Sequence, residues 1–377
     1  MTKINIRTKV VTDDFKVYAL FPGQGYKHRQ TMLDKNLVFL DFPDLVLPAD
    51  TAGYAARAFT HAVARSEAIA DWIRRRRPLE AKPMMNLAAY QNTARGRKRG
   101  KYIKALEGLH LTARKGELVV VPTSGHYDDI LIGEFTEAAG EVVYVSPGDG
   151  YGDFRVPARR VRWIGKKPQH QVTEEFLRSI RTANPLVILQ KSYRRMIYDA
   201  AYPSYMLGED IYSTFAVKGE TFTSRDDYIF QEFINYAAAL AEQICEDEDN
   251  NAPLAPSISD AIWSLSDESY IPELAININS PGIISLLSSR ITPMIAVALF
   301  ALASSSCDMN GVVQMPTAAT LEVTMANVAD DPCAIQVERA IKYSLDTMGY
   351  EEWQKMCRKI HQLKTDPIIS APADVEN

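Results

Sequence analysis

A chain of 377 residues with 46% hydrophobic and 9% aromatic residues has the composition of a folded protein, which excludes intrinsic disorder. Its length suits two domains. The net charge of −5 conceals an uneven distribution, because residues 1–217 carry 33 lysines and arginines against 23 acidic residues, whereas residues 218–377 carry 9 against 24. This asymmetry is typical of a polyanion-binding half joined to a half with another role, so nucleic acid is the first partner to consider.

The four cysteines lie far apart in the acidic half and form no CxxC pair. This spacing favours free thiols in a reducing cytoplasm over a disulfide framework or a zinc site. The N-terminal residues include basic side chains but no apolar run of the kind found in secretion signals. We therefore expect a cytoplasmic protein with no metal or other cofactor.

Two short apolar runs predict the first strands. Residues 15–21 stop at the glycine-rich turn 22–25, and residues 37–42 end at Pro43. Together they indicate the opening of a small sheet or barrel.

A helical insert with two basic clusters follows. Apolar residues recur at helical spacing from Tyr54 to Arg77, and the four arginines at its end exceed what the helix dipole explains. A second basic cluster spans residues 95–104, and both clusters fit either a solvated helix face or a phosphate-contacting surface. The candidate phosphate contacts are Arg74, Arg75, Arg76, Arg77, Arg95, Arg97, Lys98, Arg99 and Lys101.

Four further strands are predicted at 116–122, 129–135, 141–145 and 159–164. Their regular spacing and glycine-rich turns favour a compact antiparallel barrel over a parallel sheet. The last strand adds candidate phosphate contacts at Arg159, Arg160 and Arg162. Thr173 then begins a helix as its N-cap, with two glutamates in the first turn.

This order of elements resembles the N-terminal domain of Mrr-type, modification-dependent restriction enzymes, and it is similar more broadly to PUA- and EVE-like barrels. The segments that carry the resemblance are GELVVVP at 116–122, IGEF at 132–135 and RRVRW at 159–163, within a region of about residues 15–190. The resemblance implies a small PUA/EVE-like barrel with a helical insert. It also implies a domain that reads nucleic acid by taking a modified base into an aromatic-lined pocket.

The residues themselves also indicate a base pocket. A flipped base requires an aromatic face, hydrogen-bonding groups for its edge and cations for the flanking phosphates. Such residues fall on three predicted turns and one strand, although each alone is more often core or ordinary turn chemistry. The candidate pocket residues are Phe21, Gln24, Tyr26, Ser124, His126, Tyr127, Asp128, Tyr151 and Trp163.

A nuclease domain of the PD-(D/E)xK type does not follow the barrel. That site requires an acid and then Glu-x-Lys to hold Mg²⁺. The sequence has one Glu-x-Lys, at Glu80 and Lys82, with no strand predicted around it, and the six histidines are scattered. Catalysis by this chain is therefore disfavoured.

The acidic half is predicted to be mainly helical. Residues 228–244 have helical periodicity, and residues 271–282 alternate and turn at Ser-Pro-Gly into a second strand at 283–287, which predicts a β-hairpin. The segment from Ile291 to Cys307 is apolar but shorter than the roughly 20 residues that span a bilayer, so a core helix is favoured over a membrane segment.

Taken together, the sequence predicts an α+β protein of two domains. Residues 1–215 form the basic PUA/EVE-like domain, and residues 216–377 form an acidic, mainly α-helical effector or oligomerisation domain with a β-hairpin. The leading interpretation is a nucleic-acid sensor of bacterial antiphage defence, with DNA favoured as ligand, that forms a homo-oligomer or binds a partner subunit. A divergent metal-dependent nuclease and a membrane-acting effector through Ile291 to Cys307 are the alternatives.

Overall fold

The computed structural model describes residues 2–6, 8–75, 81–91, 97–182, 184–217, 222–246, 257–277, 282–306, 316–325, 332–365, 369–370 and 373–376. The chain is mixed α/β and contains a curled, half-barrel sheet. It folds into two compact units. The basic unit is Asp14–Ala201, and the acidic unit combines Met1–Asp13 with Tyr202–Asn377.

The charge asymmetry follows these two units. The basic unit carries 30 lysines and arginines against 20 acidic residues, and the acidic unit carries 12 against 27. The whole positive excess of the N-terminal half therefore belongs to one folded body.

The units divide the chain in two places, after Asp13 and after Ala201, whereas the sequence predicts one boundary near residue 215. The reason is long-range strand pairing. Strand β1 (Thr2–Ile6) pairs in parallel with β14 (Leu321–Met325), and β2 (Thr8–Val11) pairs in parallel with β10 (Ser204–Leu207). The first strands of the chain thus complete sheets of the acidic unit.

The basic unit is built on a seven-stranded sheet, in the order β4-β8-β6-β5-β3-β9 with β7 also on β8. Every pairing is antiparallel except that of β3 with β5. All four strands expected between residues 116 and 164 are present. The strands are β3 (Val17–Leu20), β4 (Leu37–Phe39), β5 (Leu118–Val121), β6 (Asp129–Phe135), β7 (Val143–Val145), β8 (Val156–Pro168) and β9 (Leu186–Ile188).

Three helices of the basic unit form the insert between β4 and β5, as the sequence predicts. The longest of them buries Phe59, Val63 and Ile69 at helical spacing. Thr173 caps α5, because its hydroxyl oxygen accepts a hydrogen bond from the Phe176 amide. The helices are α1 (Arg29–Lys35), α2 (Thr51–Ala55), α3 (Arg57–Arg74), α4 (Arg97–Glu107), α5 (Glu174–Ile180) and α6 (Arg194–Ala201).

The acidic unit contains more sheet than the sequence predicts. The expected hairpin forms from β12 (Glu273–Asn277) and β13 (Gly282–Ser288), but β13 also pairs with β11 (Asp210–Val217) in a sheet ordered β12-β13-β11-β10-β2. Strand β15 (Ile369–Ser370) pairs with β11, and β16 (Ala373–Glu376) joins β1 and β14 in a second sheet.

The apolar segment that begins at Ile291 is the core helix of the acidic unit. Helix α9 (Thr292–Ser306) is buried from Thr292 to Ala303 and packs against α7 (Ser224–Glu246) and α10 (Pro332–Thr365). The shorter α8 (Ile258–Ser264) packs on α7. This burial confirms the core interpretation, although Cys307 lies outside the described residues. Within the described residues, no helix has the length and apolar character required to cross a membrane.

Candidate nucleic-acid interface

Loops that are distant in sequence meet around helix α1. The Lys35 ammonium donates to the carbonyl of Ser146 at 2.8 Å, which attaches the turn before Tyr151 to the helix. The Arg29 guanidinium donates to the carbonyl of Asp129 at 2.7 Å, which attaches the turn before β6. The glycine-rich turn after β3 leads directly into α1. All three turns that carry predicted pocket residues therefore contact or adjoin this helix.

A buried polar network joins the first of these turns, which carries Phe21, Gln24 and Tyr26, to the third, which carries Tyr151. The Tyr151 hydroxyl donates to Asp41 Oδ1 at 2.6 Å and lies 3.2 Å from His28 Nε2. His28 Nε2 lies 3.3 Å from Asp41 Oδ2, and the Lys27 ammonium donates to the same oxygen at 2.7 Å. Asp41 is thus the acceptor that fixes Lys27, His28 and Tyr151.

The protonation states of this network suit a structural role. Burial disfavours the Asp41 carboxylate, but the hydrogen bond and charge of His28, with hydrogen bonds from Lys27 and Tyr151, hold its pKa well below the ordinary range. Burial, together with the Asp41 charge and hydrogen bond, raises the pKa of Tyr151 well above its ordinary value. A charged acceptor and a neutral donor therefore face each other at neutral pH.

The second turn has a tight internal structure that projects two rings. Asp128 Oδ2 accepts from the Thr123 hydroxyl at 3.0 Å, and Gln169 Nε2 donates to the Gly125 carbonyl at 3.1 Å. A Cβ atom on Gly125 would lie 2.3 Å from the Asp128 carboxylate, so a larger residue there would displace the Asp128 side chain from its present position. Asp128 therefore shapes the turn.

The rings of His126, Tyr127 and His170 form an exposed cluster, which we call the ring trio. The Tyr127 centroid lies 5.1 Å from that of His126 and 5.7 Å from that of His170, and the two histidine centroids are 6.2 Å apart. All three side chains are exposed, Tyr127 at 81%. Lys166 on β8 is 73% exposed and lies 3.4 Å from Asp129 at the end of the same turn.

The predicted pocket residues separate into exposed and buried groups. Tyr151 is buried in the polar network, and Trp163 is half-buried, with its indole N–H donating to the Met32 carbonyl at 3.3 Å. The half-buried Phe21 and Tyr26 rings contact each other at 5.1 Å. The exposed members are Gln24, Ser124, His126, Tyr127 and Asp128. Tyr151 therefore supports the loops and presents no open face to a base, whereas Trp163 is anchored to α1 and stays partly exposed.

Arg159 does not contact solvent, contrary to its predicted role at a phosphate. It is 0% exposed, because the alternation of β8 directs its side chain into the core. Its guanidinium donates to the carbonyls of Leu109, Ala113 and Glu137 at 2.7 to 3.1 Å and lies over the Phe135 ring. Its role is to satisfy buried carbonyls.

Arg160 and Arg162 lie on the outer face of β8, and each binds a carboxylate. Arg160 pairs with Glu137 at 3.0 Å, and Arg162 pairs with Glu134 at 2.6 Å. These ion pairs offset part of the positive charge that the strand sequence indicates.

The basic clusters of the helical insert are partly paired. Arg74 forms an ion pair with Asp71 and donates to the Gln24 side chain at 3.0 Å, and Arg99 pairs with Glu67 at 3.0 Å. Arg75 and Lys101 are exposed. Arg76, Arg77 and Arg95 lie outside the described residues, as do the side chains of Arg97 and Lys98 on α4.

Sequence reasoning missed His170, Lys166 and the His28–Asp41 network. The pairing of β6 with β8 could have indicated His170. Asp129 pairs with Pro168 in this antiparallel register, so the residues two positions beyond each, 127 and 170, lie side by side. Nothing in the local sequence of residues 27–41 indicates their contact with Tyr151.

Comparisons with protein-family models, curated proteins and solved structures find no match to this chain. In the described part of the chain, no cluster of three or more His, Cys, Asp or Glu side chains could hold a metal ion. Glu80 of the Glu-x-Lys pair lies outside that part.

Proposed function

We propose that the basic unit binds nucleic acid, DNA in the first instance, with the ring trio stacking on an unpaired or extruded base. The observation that carries this proposal is the exposed cluster of His126, Tyr127 and His170 in a unit with ten more positive than negative charges. Exposed ring surface that is clustered, and not scattered singly, marks an interaction site on many proteins. A nucleobase suits such a surface, because every base has a π-face on which rings can stack.

The charge of the unit supplies the part of the affinity that does not depend on sequence. Cationic side chains that contact phosphates release condensed counterions, which favours binding at low salt. Lys166 pairs with Asp129, at the end of the turn that carries Tyr127, and Arg75 and Lys101 are exposed on the helical insert. The ion pairs of Arg160 and Arg162 mean that these two arginines would have to exchange a carboxylate for a phosphate.

The finer form of the proposal is a PUA/EVE-like reader of modified bases in antiphage defence. Its support is the antiparallel character of β6 and β8, the helical insert between β4 and β5, and the convergence of three turns on α1. In this form the acidic unit is the effector or assembly domain, and His28, Asp41 and Tyr151 hold the reading loops in place.

Removal of the rings tests the proposal. We expect Tyr127→Ala and His170→Ala in the full chain to weaken binding of a labelled single strand by about five-fold to a hundred-fold each, since one base–aromatic stack contributes about 1–3 kcal/mol. Fluorescence anisotropy measures the affinity. Tyr228→Ala is the matched control, because Tyr228 is also a largely exposed tyrosine but belongs to the acidic unit. Equal affinities for wild type and both ring variants would refute the stacking role.

A duplex with one modified cytosine tests the finer form. We expect it to bind more tightly than the unmodified duplex and to lose that advantage in Tyr127→Ala. Equal binding of the two duplexes would restrict the function to unselective nucleic-acid binding.

A further inference from the structure

A cleft of about 340 Å³ opens on the helical insert of the basic unit. Its lining comes from α2, the start of α3 and one face of α4. Small-molecule sites in proteins start at about 300 Å³, so the cleft has room for one small ligand. None of the predicted pocket residues lines it.

The walls of the cleft suit a flat ring. Tyr54 lines the cleft but is only 2% exposed, with the Phe59 ring packed edge-on against it at 4.9 Å between centroids, so it offers no ring face to a ligand. The apolar surface open to a ligand comes from Ala55 on α2 and Ile103 on α4. A planar aromatic ligand would bury its faces against these two side chains.

Three charged side chains of α4 line the cleft, namely Arg99, Lys104 and Glu107. Arg99 pairs with Glu67 at 3.0 Å. Lys104 and Glu107 lie three residues apart and so on one side of the helix, and neither forms an ion pair or hydrogen bond within the described residues. Burial, with a contribution from the Glu107 charge, raises the pKa of Tyr54 to about 12, which is consistent with a carboxylate facing the base of the cleft. One cation and one hydrogen-bond acceptor are therefore available to a ligand.

Gly100 leaves one wall of the cleft without a side chain. It lies inside α4 and lines the cavity, and a Cβ atom there would meet no other atom within 4 Å. Glycine inside a helix destabilises it by about 1 kcal/mol relative to alanine. A larger side chain at this position would therefore favour the helix and project into the open space of the cleft.

We propose that this cleft binds a nucleobase with an exocyclic amino group and its adjacent phosphate. The base lies between Ala55 and Ile103, Glu107 accepts a hydrogen bond from the amino group, and Lys104 contacts the phosphate. The source is either a free nucleotide or one nucleotide of a strand. The site goes beyond the ring trio and does not depend on it.

Calorimetry of the full chain with dAMP, dCMP and dTMP tests the chemistry, because thymine lacks the amino group. We expect dAMP and dCMP to bind roughly ten-fold or more tightly than dTMP. Glu107→Gln should remove this preference, since the amide both donates and accepts. Lys104→Ala should weaken all three, and Lys115→Ala, at an exposed lysine of the basic unit that does not line the cleft, should leave them unchanged.

Gly100→Leu tests the location. The leucine side chain occupies part of the cleft and favours helix, so the variant should fold, with a thermal midpoint no lower than that of wild type, and bind nucleotides more weakly. If mononucleotides do not bind but Gly100→Leu weakens oligonucleotide binding, the cleft takes a base of a strand. If no affinity for mononucleotides or oligonucleotides depends on Gly100, the cleft proposal is wrong.

These outcomes separate the two sites. Loss of oligonucleotide binding in Tyr127→Ala but not in Gly100→Leu would support the ring trio and show that the cleft takes no base of a strand. Nucleotide binding that Gly100→Leu weakens, in a protein that binds no oligonucleotide, would support the cleft and reject the proposed function.

Discussion

The buried His110 should make the protein acid-sensitive. His110 is 1% exposed within the π-helical turn Gly108–Thr112, and neither ring nitrogen has a hydrogen-bond partner among the described residues. Burial, with a smaller contribution from the positive charge of Arg159, lowers the pKa of His110 from its ordinary 6.5 to about 3. The unfolded chain therefore binds a proton near pH 6.5 that the folded chain does not bind until about pH 3.

Because the unfolded state binds more protons in this window, stability rises with pH and is lost as the pH falls below 6.5. At pH 5 the unfolded state gains RT ln(1 + 10^1.5), about 2 kcal/mol, from this group. Urea unfolding at about pH 7.5 and pH 5 measures the loss. The His110→Met substitution keeps the side-chain volume and removes the titrating ring. Between these two pH values we expect the free energy of unfolding of this variant to fall by about 2 kcal/mol less than that of wild type.

A matched substitution separates this effect from the general acid response. His170→Gln, at an exposed position, should retain the wild-type loss. If His110→Met and wild type lose the same stability between the two pH values, then His110 is not buried in its neutral form and the reasoning fails.

Two other substitutions test the packing of each unit. Arg159→Ala should lower the free energy of unfolding by about 3 kcal/mol or more, because the buried carbonyls of Leu109 and Ala113 and the half-buried carbonyl of Glu137 lose their donor. Arg162→Ala should change it by less than about 1 kcal/mol. A loss below about 1 kcal/mol for Arg159→Ala would contradict its assignment as a core donor. Leu299→Ala in α9 should cost about 2–5 kcal/mol by urea unfolding, and the exposed Ile335→Ala on α10 much less. A small loss at Leu299 would argue against α9 as a core helix.

Much of the local structure could be predicted, because it depends on neighbouring residues. Alternation and glycine turns locate β5, β6 and β8, Thr173 begins α5, and the apolar stretch after Ile291 is a buried helix. The domain boundary could not be predicted in the same way. It depends on the pairing of β1 and β2 with strands that lie about 200 to 320 residues later, and no local pattern encodes such a partner.

The candidate site shows the same division between local and distant information. The sequence predicts that His126 and Tyr127 lie on a turn, and both are exposed there. It does not distinguish Arg159 from Arg160, because the direction of each side chain depends on which face of β8 meets the core. The same limit applies to Tyr151, whose buried network with His28 and Asp41 depends on contacts between turns more than 100 residues apart.

The salt dependence of nucleic-acid binding tests the central claim most directly. We expect the full chain to bind a labelled single strand of about 20 nucleotides, with an affinity that falls by roughly two orders of magnitude between about 50 and 200 mM salt, as four to five phosphate contacts require. Lys166→Ala should reduce the slope of log affinity against log salt concentration by about 0.7, whereas Lys342→Ala in the acidic unit should not change this slope. An affinity independent of salt, or no binding at the lowest salt, would contradict the assignment of the basic unit to nucleic acid.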